Sequence, residues 1–419
     1  MALDLAESRD NVSAGTLLYV LYRSLAIAVP SVVVISRVLS SAGFSGASAW
    51  VVSCVSAAAL VLLTSFEFDC LAFARVSIVA CSVVAFVVLP SISNQWSLIA
   101  AILFAEALLY FVLRRCGVGS KIARALPDTL WNALLIGLGA SVAVELIGKL
   151  GIVVPSDSLV VGLGLLTAPS VVVALISIAA VVSLKALSVP HAYLIAIIIA
   201  AFSGVPLGVT QLGSAVASLP DFSQLGMTFE SIYATAPSFF MSLVSPMTLS
   251  WLFLMSLIDF RCMESLTIKS NTCFGAGERA LGLLTGIPMV RDGSVDAKKA
   301  SQFSKYLSII VFCVLLFLTI FSPLLALIGL SAVAGPVLSE AFRLIKRVVS
   351  IGFDDLESVV PSAILVLFLV LTRNVIGALC LGLISHCLIY GLSGRVKSVT
   401  TPTFLLTVVS TLLATACLF

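Results

Sequence analysis

The feature that most constrains this chain is the repeated appearance of apolar runs about 20 residues long, the length one helix needs to cross a bilayer. Such runs occupy positions 16–38, 47–66, 70–89, 96–114, 129–148, 165–186 and 190–209, and again 238–266, 306–329, 331–345, 359–373, 375–392 and 402–418. They are rich in Leu, Val, Ile and Ala and lack the ten-residue alternation of an outer-membrane barrel, so they predict helices. Hydrophobic residues make up 60% of the chain and charged ones 10%, with a mean hydropathy of +1.21. A soluble domain could not cover itself with so few polar groups. The expectation is an all-α polytopic membrane protein. The opening MALDLAESRDN is polar and lacks a cationic leader, so no cleavable signal peptide is expected and the first run should insert as a span.

Several function classes fall away. A net charge of +3 is too weak to point to nucleic acid. The ten cysteines are scattered, mostly within apolar runs, and form no CxxC, which reads as buried reduced thiols. His191 and His386 lie far apart with no HExxH, so no metal is expected. No GxSxG and no paired aspartates within spans mark an enzyme, and no cofactor is indicated.

A less apolar stretch from Gly204 to Pro237 reads as a seam. On that basis the chain divides into a cytoplasmic N-terminus (1–15), a first repeat (16–210), a connector (211–237), a second repeat (238–392) with degenerate elements at 277–304, and a C-terminal segment (393–419) ending in an apolar helix. Lys and Arg crowd the links at 114–124, 298–305, 343–347 and 395–397. A cytoplasmic N-terminus puts most of them inside, in a plasma membrane or bacterial inner membrane. This requires two short elements within 277–304, giving about fourteen in all, seven on each side of the seam. Odd-numbered halves lie inverted relative to each other, a common transporter plan. The run at 402–418 is either a fifteenth element or a sign that the count is off by one.

Certain stretches carry a resemblance: IAVPSVVVISRVLSSAGFS (27–45), GVGSKIARALPDTLWNALLIGLGASVAVELIGKLGIVV (117–154), FSGVPLGV (202–209), FSPLLALI (321–328) and FDDLESVVPSAILVLFLVLTRNVIGALCLGLISHCLIYGLSGRVK (353–397). In order and spacing the chain resembles the nucleobase–cation symporters, in the adenine/guanine/hypoxanthine permease (AzgA-like) branch. The resemblance implies two inverted seven-element repeats arranged as a core and a gate domain. It implies third and tenth elements that are half strand and half helix, with helix N-termini aimed at substrate. It also implies a substrate-binding carboxylate on the eighth helix, a proton as coupling ion and a possible homodimer.

The motif that should read close to VDLFDTxGTL is here MSLIDFRCMESL (255–266), which carries the substrate-binding role onto Asp259 and puts Ser256 at the family's first acidic position. The third element reads AFARVSIVAC (72–81), with Arg75 and Ser77 where the family has a Pro- and Gly-rich substrate loop. The tenth is represented by TGIPMVRDGSVDAKK (285–299), with Asp292 or Ser294 near the acidic position. Asp259 itself has two readings. A helix over 239–258 could end there in water. Alternatively a helix starting after Pro246 would place Asp259 about 20 Å along, inside the bilayer, and the family register favours this. Arg75 either snorkels toward the edge marked by Glu67 and Asp69 or meets Asp259 or an anionic substrate. Arg261 and Glu264 can pair on one helix face. Arg373 and Asn374 stand at the join of two short elements, as cavity-lining or helix-end residues. Glu106 and Glu145, each inside an apolar run, read as interhelical hydrogen-bonding groups more than as proton relays.

Three functions remain open: proton-coupled transport of a purine base, transport of an anion on the same general fold, and a degenerate membrane protein that no longer transports. An Arg at position 75 would need a counter-charge, since an unpaired charge in the bilayer interior costs at least ~2.5 kcal/mol. Asp259→Asn and Arg75→Gln should each abolish transport or lower protein abundance, and the double neutral variant should partly restore abundance. Unchanged uptake and abundance in Asp259→Asn would place that residue in water.

Overall fold

The computed structural model describes residues 14–68, 77–91, 96–116, 125–155, 161–210, 220, 244–265, 302–321, 328–351, 355–395 and 399–418. Helices dominate them: α1 (Ala14–Ser41), α2 (Gly46–Phe68), α3 (Ile78–Val83, continued through a π turn at Val84–Val88 to Leu89–Ser91), α4 (Trp96–Arg115), α5 (Asp128–Lys149), α6 (Pro169–Ala186), α7 (Ala192–Gly204), α8 (Pro246–Ser265), α9 (Gln302–Phe317), α10 (Leu330–Ile345), α11 (Leu356–Thr372), α12 (Val375–Leu392) and α13 (Thr401–Leu418). Each expected apolar run with described residues contains one of these helices. The run at 402–418 forms α13. The two short elements expected within 277–304 and most of the expected connector lie outside the described residues. A two-residue antiparallel ladder, β1 (Val153–Val154) with β2 (Gly162–Leu163), was not anticipated.

The chain divides into two compact units, one of Met1–Cys81, Gly148–Met227 and Ile287–Ser339, the other of Ser82–Ile147, Thr228–Gly286 and Glu340–Phe419. In the first unit α1 packs on α2, α7 and α9, and α6 packs on α7. Trp50 of α2 donates its indole N–H to the Leu318 carbonyl at 2.8 Å, just after α9, where the helix tightens into a 3₁₀ turn. Lys185 at the end of α6 is held by the Tyr193 and Ser339 hydroxyls at 2.6 and 2.8 Å.

The contact between α6 and α10 follows from one proline. Pro336 lies inside α10 and has no N–H for the carbonyl four residues back, which belongs to Ala332. Ser177 of α6 supplies the missing donor: its Oγ donates to Ala332 O at 2.7 Å and accepts from Gly335 N at 3.0 Å. The approach needs a glycine, since a Cβ on Gly335 would lie 2.3 Å from the Ser177 carbonyl oxygen. Val173, Ala200 and Ala332 form a buried cluster in the same unit.

In the second unit α8 packs on α4, α12 and α13, and α12 packs on both α11 and α13. Small residues again set the distances. A Cβ on Gly139 of α5 would lie 2.8 Å from the Ala341 carbonyl, and one on Gly137 would lie 2.6 Å from Leu369 of α11. Between α12 and α13, Cys380 meets Thr411 and Cys387 meets Thr407, each at 3.5 Å. Such small and hydroxylated contacts are what joins helices in lipid, where burying apolar surface brings little gain.

The proline-relief pair has a specific consequence. Ser177→Ala should lower stability by about 1–3 kcal/mol, because it strands a buried carbonyl. Pro336→Ala, which restores the intrahelical donor, should recover most of the loss. Thermal midpoints of the purified chain in detergent, read for both single variants and the double, check this. Additive losses would show that the serine does not serve the proline.

Candidate functional site

The second unit holds a pocket of about 330 Å³, lined by Val87, Pro90 and Ser91 from the end of α3, Met247, Ser250, Trp251 and Leu254 from α8, and Thr372, Arg373, Asn374, Val375 and Ile376 from the α11–α12 junction. That volume is at the small end of ligand pockets.

Local sequence dictates each wall. α8 begins where a cap and a proline coincide. The Ser245 hydroxyl accepts from Thr248 N at 3.4 Å and lies 2.8 Å from the Thr248 hydroxyl, and Pro246 follows at the first helical position, where its missing N–H costs nothing. From there Met247, Ser250, Trp251 and Leu254, spaced three and four residues apart, share one helix face. The end of α3 leaves ordinary helical geometry at its π turn, whose five residues are all buried. Ser91 then donates to Val88 O at 2.6 Å and accepts from Trp251 Nε1 at 2.7 Å. The third and eighth elements meet at this bond, which fixes the indole against the pocket.

The third wall is a break between two helices. Arg373 closes α11 in the left-handed conformation, φ +56°, with its N–H on Leu369 O at 2.9 Å. Asn374 is extended and caps α12, its Oδ1 accepting from Gly377 N at 3.0 Å. The Asn374 N–H is taken by Thr372 Oγ1 at 3.2 Å, and that hydroxyl donates to Phe368 O at 2.8 Å. The break is thus bonded locally while the N-terminus of α12 borders the pocket with its partial positive charge. Arg373 reaches Glu145 of α5, Nη2 to Oε2, at 2.7 Å. The carboxylate is 16% exposed and stands behind the arginine, outside the pocket wall.

The residues singled out from sequence fall into three groups. Arg373 and Asn374 line the cavity and form the helix ends, and Glu145 makes an interhelical ion pair. Ser256 is buried and donates to Leu252 O at 2.9 Å within its own helix, and Ser77 accepts from Ala80 N at 3.3 Å as a cap of α3; neither lines the pocket. Arg75, Asp292 and Ser294, and the side chains of Asp259, Arg261 and Glu264, lie outside the described residues. The backbone at Asp259 is nevertheless informative. α8 starts at Pro246 and runs on to Ser265, so the helix passes through Asp259 and does not end there. Glu106 is buried within α4. Trp251, Ser91 and Ser250 were not picked out from sequence. The available signal was a tryptophan in the first turns of an apolar helix with hydroxyls close by, since a buried indole N–H needs an acceptor.

A family model described as "Permease family" matches residues 16–259. The provisionally named permease MJ0326 of Methanocaldococcus jannaschii is 24% identical over 329 residues, 73% of this chain and 73% of that protein. The guanine/hypoxanthine permease PbuG of Bacillus subtilis is 24% identical over 324 residues, 73% of this chain and 72% of that protein. Among solved structures, the transmembrane domain of the cyanobacterial bicarbonate transporter BicA superposes with a TM-score of 0.56 at 12% identity, covering 87% of this chain and 96% of that one. The murine anion transporter Slc26a9, inward-facing, gives 0.56 at 13% identity, covering 94% and 71%. These likenesses give the fold: an all-helical, multi-span transporter bundle.

Trp251 and Ser91 provide a check on the pocket's construction. Trp251→Phe and Ser91→Ala should each cost roughly 0.5–1.5 kcal/mol, the net worth of one hydrogen bond. The double variant should cost no more than the larger single loss. Chemical or thermal unfolding of the three variants measures the coupling, and full additivity would show that the bond contributes nothing.

Proposed function

We propose, from the premise that this chain belongs to the permease family, that it is a secondary transporter that carries a purine nucleobase such as hypoxanthine, guanine or adenine together with a proton. That it is an integral-membrane transporter follows from the family and the fold. The substrate class rests on the chemistry of the pocket. An indole, a methionine and aliphatic side chains form its apolar walls, and Ser91, Ser250, Thr372 and Asn374 supply neutral polar groups. This mixture suits a flat, neutral heterocycle with hydrogen-bonding edges. The observation that carries the reading is the ion pair. Arg373 alone among the lining residues is charged, and Glu145 balances it at 2.7 Å. A pocket for a free anion would keep its cation uncompensated. The similarity to a guanine/hypoxanthine permease over 324 residues supports the same class.

Asp259, inside a helix that passes it on both sides, fits the carboxylate that would bind the base or take part in proton coupling, with Ser256 on the turn before it. Arg75, Ser77, Asp292 and Ser294 would contribute from the third and tenth elements. The halves would be the repeats at 16–210 and 238–392, with the N-terminus in the cytoplasm and a homodimer as the assembled form. Anion transport is the second reading. It is favoured by the fold shared with bicarbonate and anion transporters and by an arginine beside a helix N-terminus.

Uptake into cells expressing the chain separates the two. Radiolabelled hypoxanthine and guanine should accumulate, more strongly at lower external pH, and sulfate and bicarbonate should not. Sulfate or bicarbonate uptake without hypoxanthine uptake would replace the first reading with the second. Silence on all four, with the protein present in the membrane, would leave a chain that no longer transports.

A further inference from the structure

The geometry around Arg373 assigns a specificity role to Glu145, a residue that does not line the pocket. Arg373 is anchored at its backbone. Its backbone is pinned in the left-handed region at φ +56° by the bond to Leu369, and the next residue is pinned as the cap of α12. The guanidinium is therefore delivered to the pocket wall from a fixed point. Its side chain is 43% exposed, so it is accessible as well as paired. A guanidinium carries five N–H donors, and Nη2 is the atom turned to Glu145. The other nitrogens can donate to a neutral acceptor, such as the carbonyl oxygen of a heterocycle. The charge that would attract an anion is offset.

Lys149 is one turn further along α5 and directs its Nζ to the Ser41 carbonyl at 3.0 Å. Asp128 lies at the far end of α5, and Glu357 of α11 is paired with Arg395 at 2.9 Å. We infer that Glu145 is a charge-selectivity residue. It positions and neutralises Arg373 so that the pocket takes neutral heterocycles, and removing its charge turns the same pocket toward anionic ones. Arg373 is the group that touches the ligand, and Glu145 acts through it. The inference rests on the nucleobase reading for its choice of ligand.

Urate, an anion at neutral pH, and hypoxanthine, which is neutral, share the purine frame and form a suitable probe pair. Their binding to the purified full chain in detergent would be measured for wild type, Glu145→Gln, Arg373→Gln and the double variant. Glu145→Gln should raise urate affinity at least tenfold relative to hypoxanthine. The double variant should lose that gain, which a merely structural role for Glu145 would not produce. Urate affinity that stays unchanged, rises together with hypoxanthine affinity, or remains raised in the double variant overturns the inference. Should Glu145→Gln not be recovered folded, the swap E145R/R373E keeps a pair and puts the carboxylate at the wall. Urate binding should then fall below wild type, and equal binding overturns the inference. A wild-type chain that does not bind hypoxanthine would remove the nucleobase reading, while the charge test is still read on urate alone.

Discussion

A backbone crossing lipid must satisfy its own hydrogen bonds, because no water is present to take them. Most of the described structure follows from that constraint. It turns each apolar run into a helix and leaves the break at Arg373–Asn374 as a place that has to be repaired. Three of the freed groups are met by single neighbouring atoms: Leu369 O takes the arginine N–H, Thr372 Oγ1 takes the asparagine N–H, and Asn374 Oδ1 takes the Gly377 N–H. These backbone groups of the turn between α11 and α12 are thus met locally. The turn places polar side chains and a helix N-terminus next to the pocket.

The same constraint explains how the helices meet. Pro336 leaves the Ala332 carbonyl without its intrahelical donor, and Ser177 on the neighbouring helix provides one. Trp50 does similar work for the Leu318 carbonyl, where α9 tightens into a 3₁₀ turn. Trp251 depends on Ser91 in the opposite sense, as a donor in need of an acceptor. In each case an unmet polar group fixes the position of a neighbour. A glycine at the point of contact, such as Gly335 or Gly139, then lets the two backbones approach.

How much of this was legible in the sequence follows from the range of each signal. Apolar periodicity is local and strong, so most of the helices could be placed within a few residues; α8 is an exception, since the apolar run begins before Pro246 but the helix does not, and so is α9, which stops at Phe317 and tightens into a 3₁₀ turn inside the run expected to reach 329. Composition before Pro246 is uniform, and the boundary is set by the Ser245 cap and the proline. The α11–α12 junction was visible because Arg–Asn between two short apolar runs is locally discordant. The pocket was not legible as a pocket, because it joins residues near positions 90, 250 and 373, and a single sequence carries no record of that pairing. The β1–β2 ladder escaped for another reason: two residues per strand are too few for an alternation to register. Family register pointed to Asp259, Arg75, Asp292 and Ser294, whereas the described geometry gathers around Trp251 and Arg373. The two sets share one element among the described residues: α8, whose backbone carries both Trp251 and Asp259.

The Arg373–Glu145 pair shows why the pocket is better read as functional than as a packing defect. An ion pair whose arginine is 43% exposed is screened by solvent and contributes little to stability, typically under about 1 kcal/mol. Stability alone therefore gives little reason to keep an arginine in a left-handed backbone conformation between two apolar helices. Helix continuity gives none, since a glycine at position 373 would adopt φ +56° with less strain. The arginine is also partly exposed, at the wall of a pocket whose other lining residues are uncharged. A packing role would bury the guanidinium, and a surface role would not need a carboxylate that is only 16% exposed. What remains is a charge that is presented to the pocket and balanced from behind, which is the arrangement expected of a group that must donate hydrogen bonds to a polar ligand without drawing in every anion that reaches it.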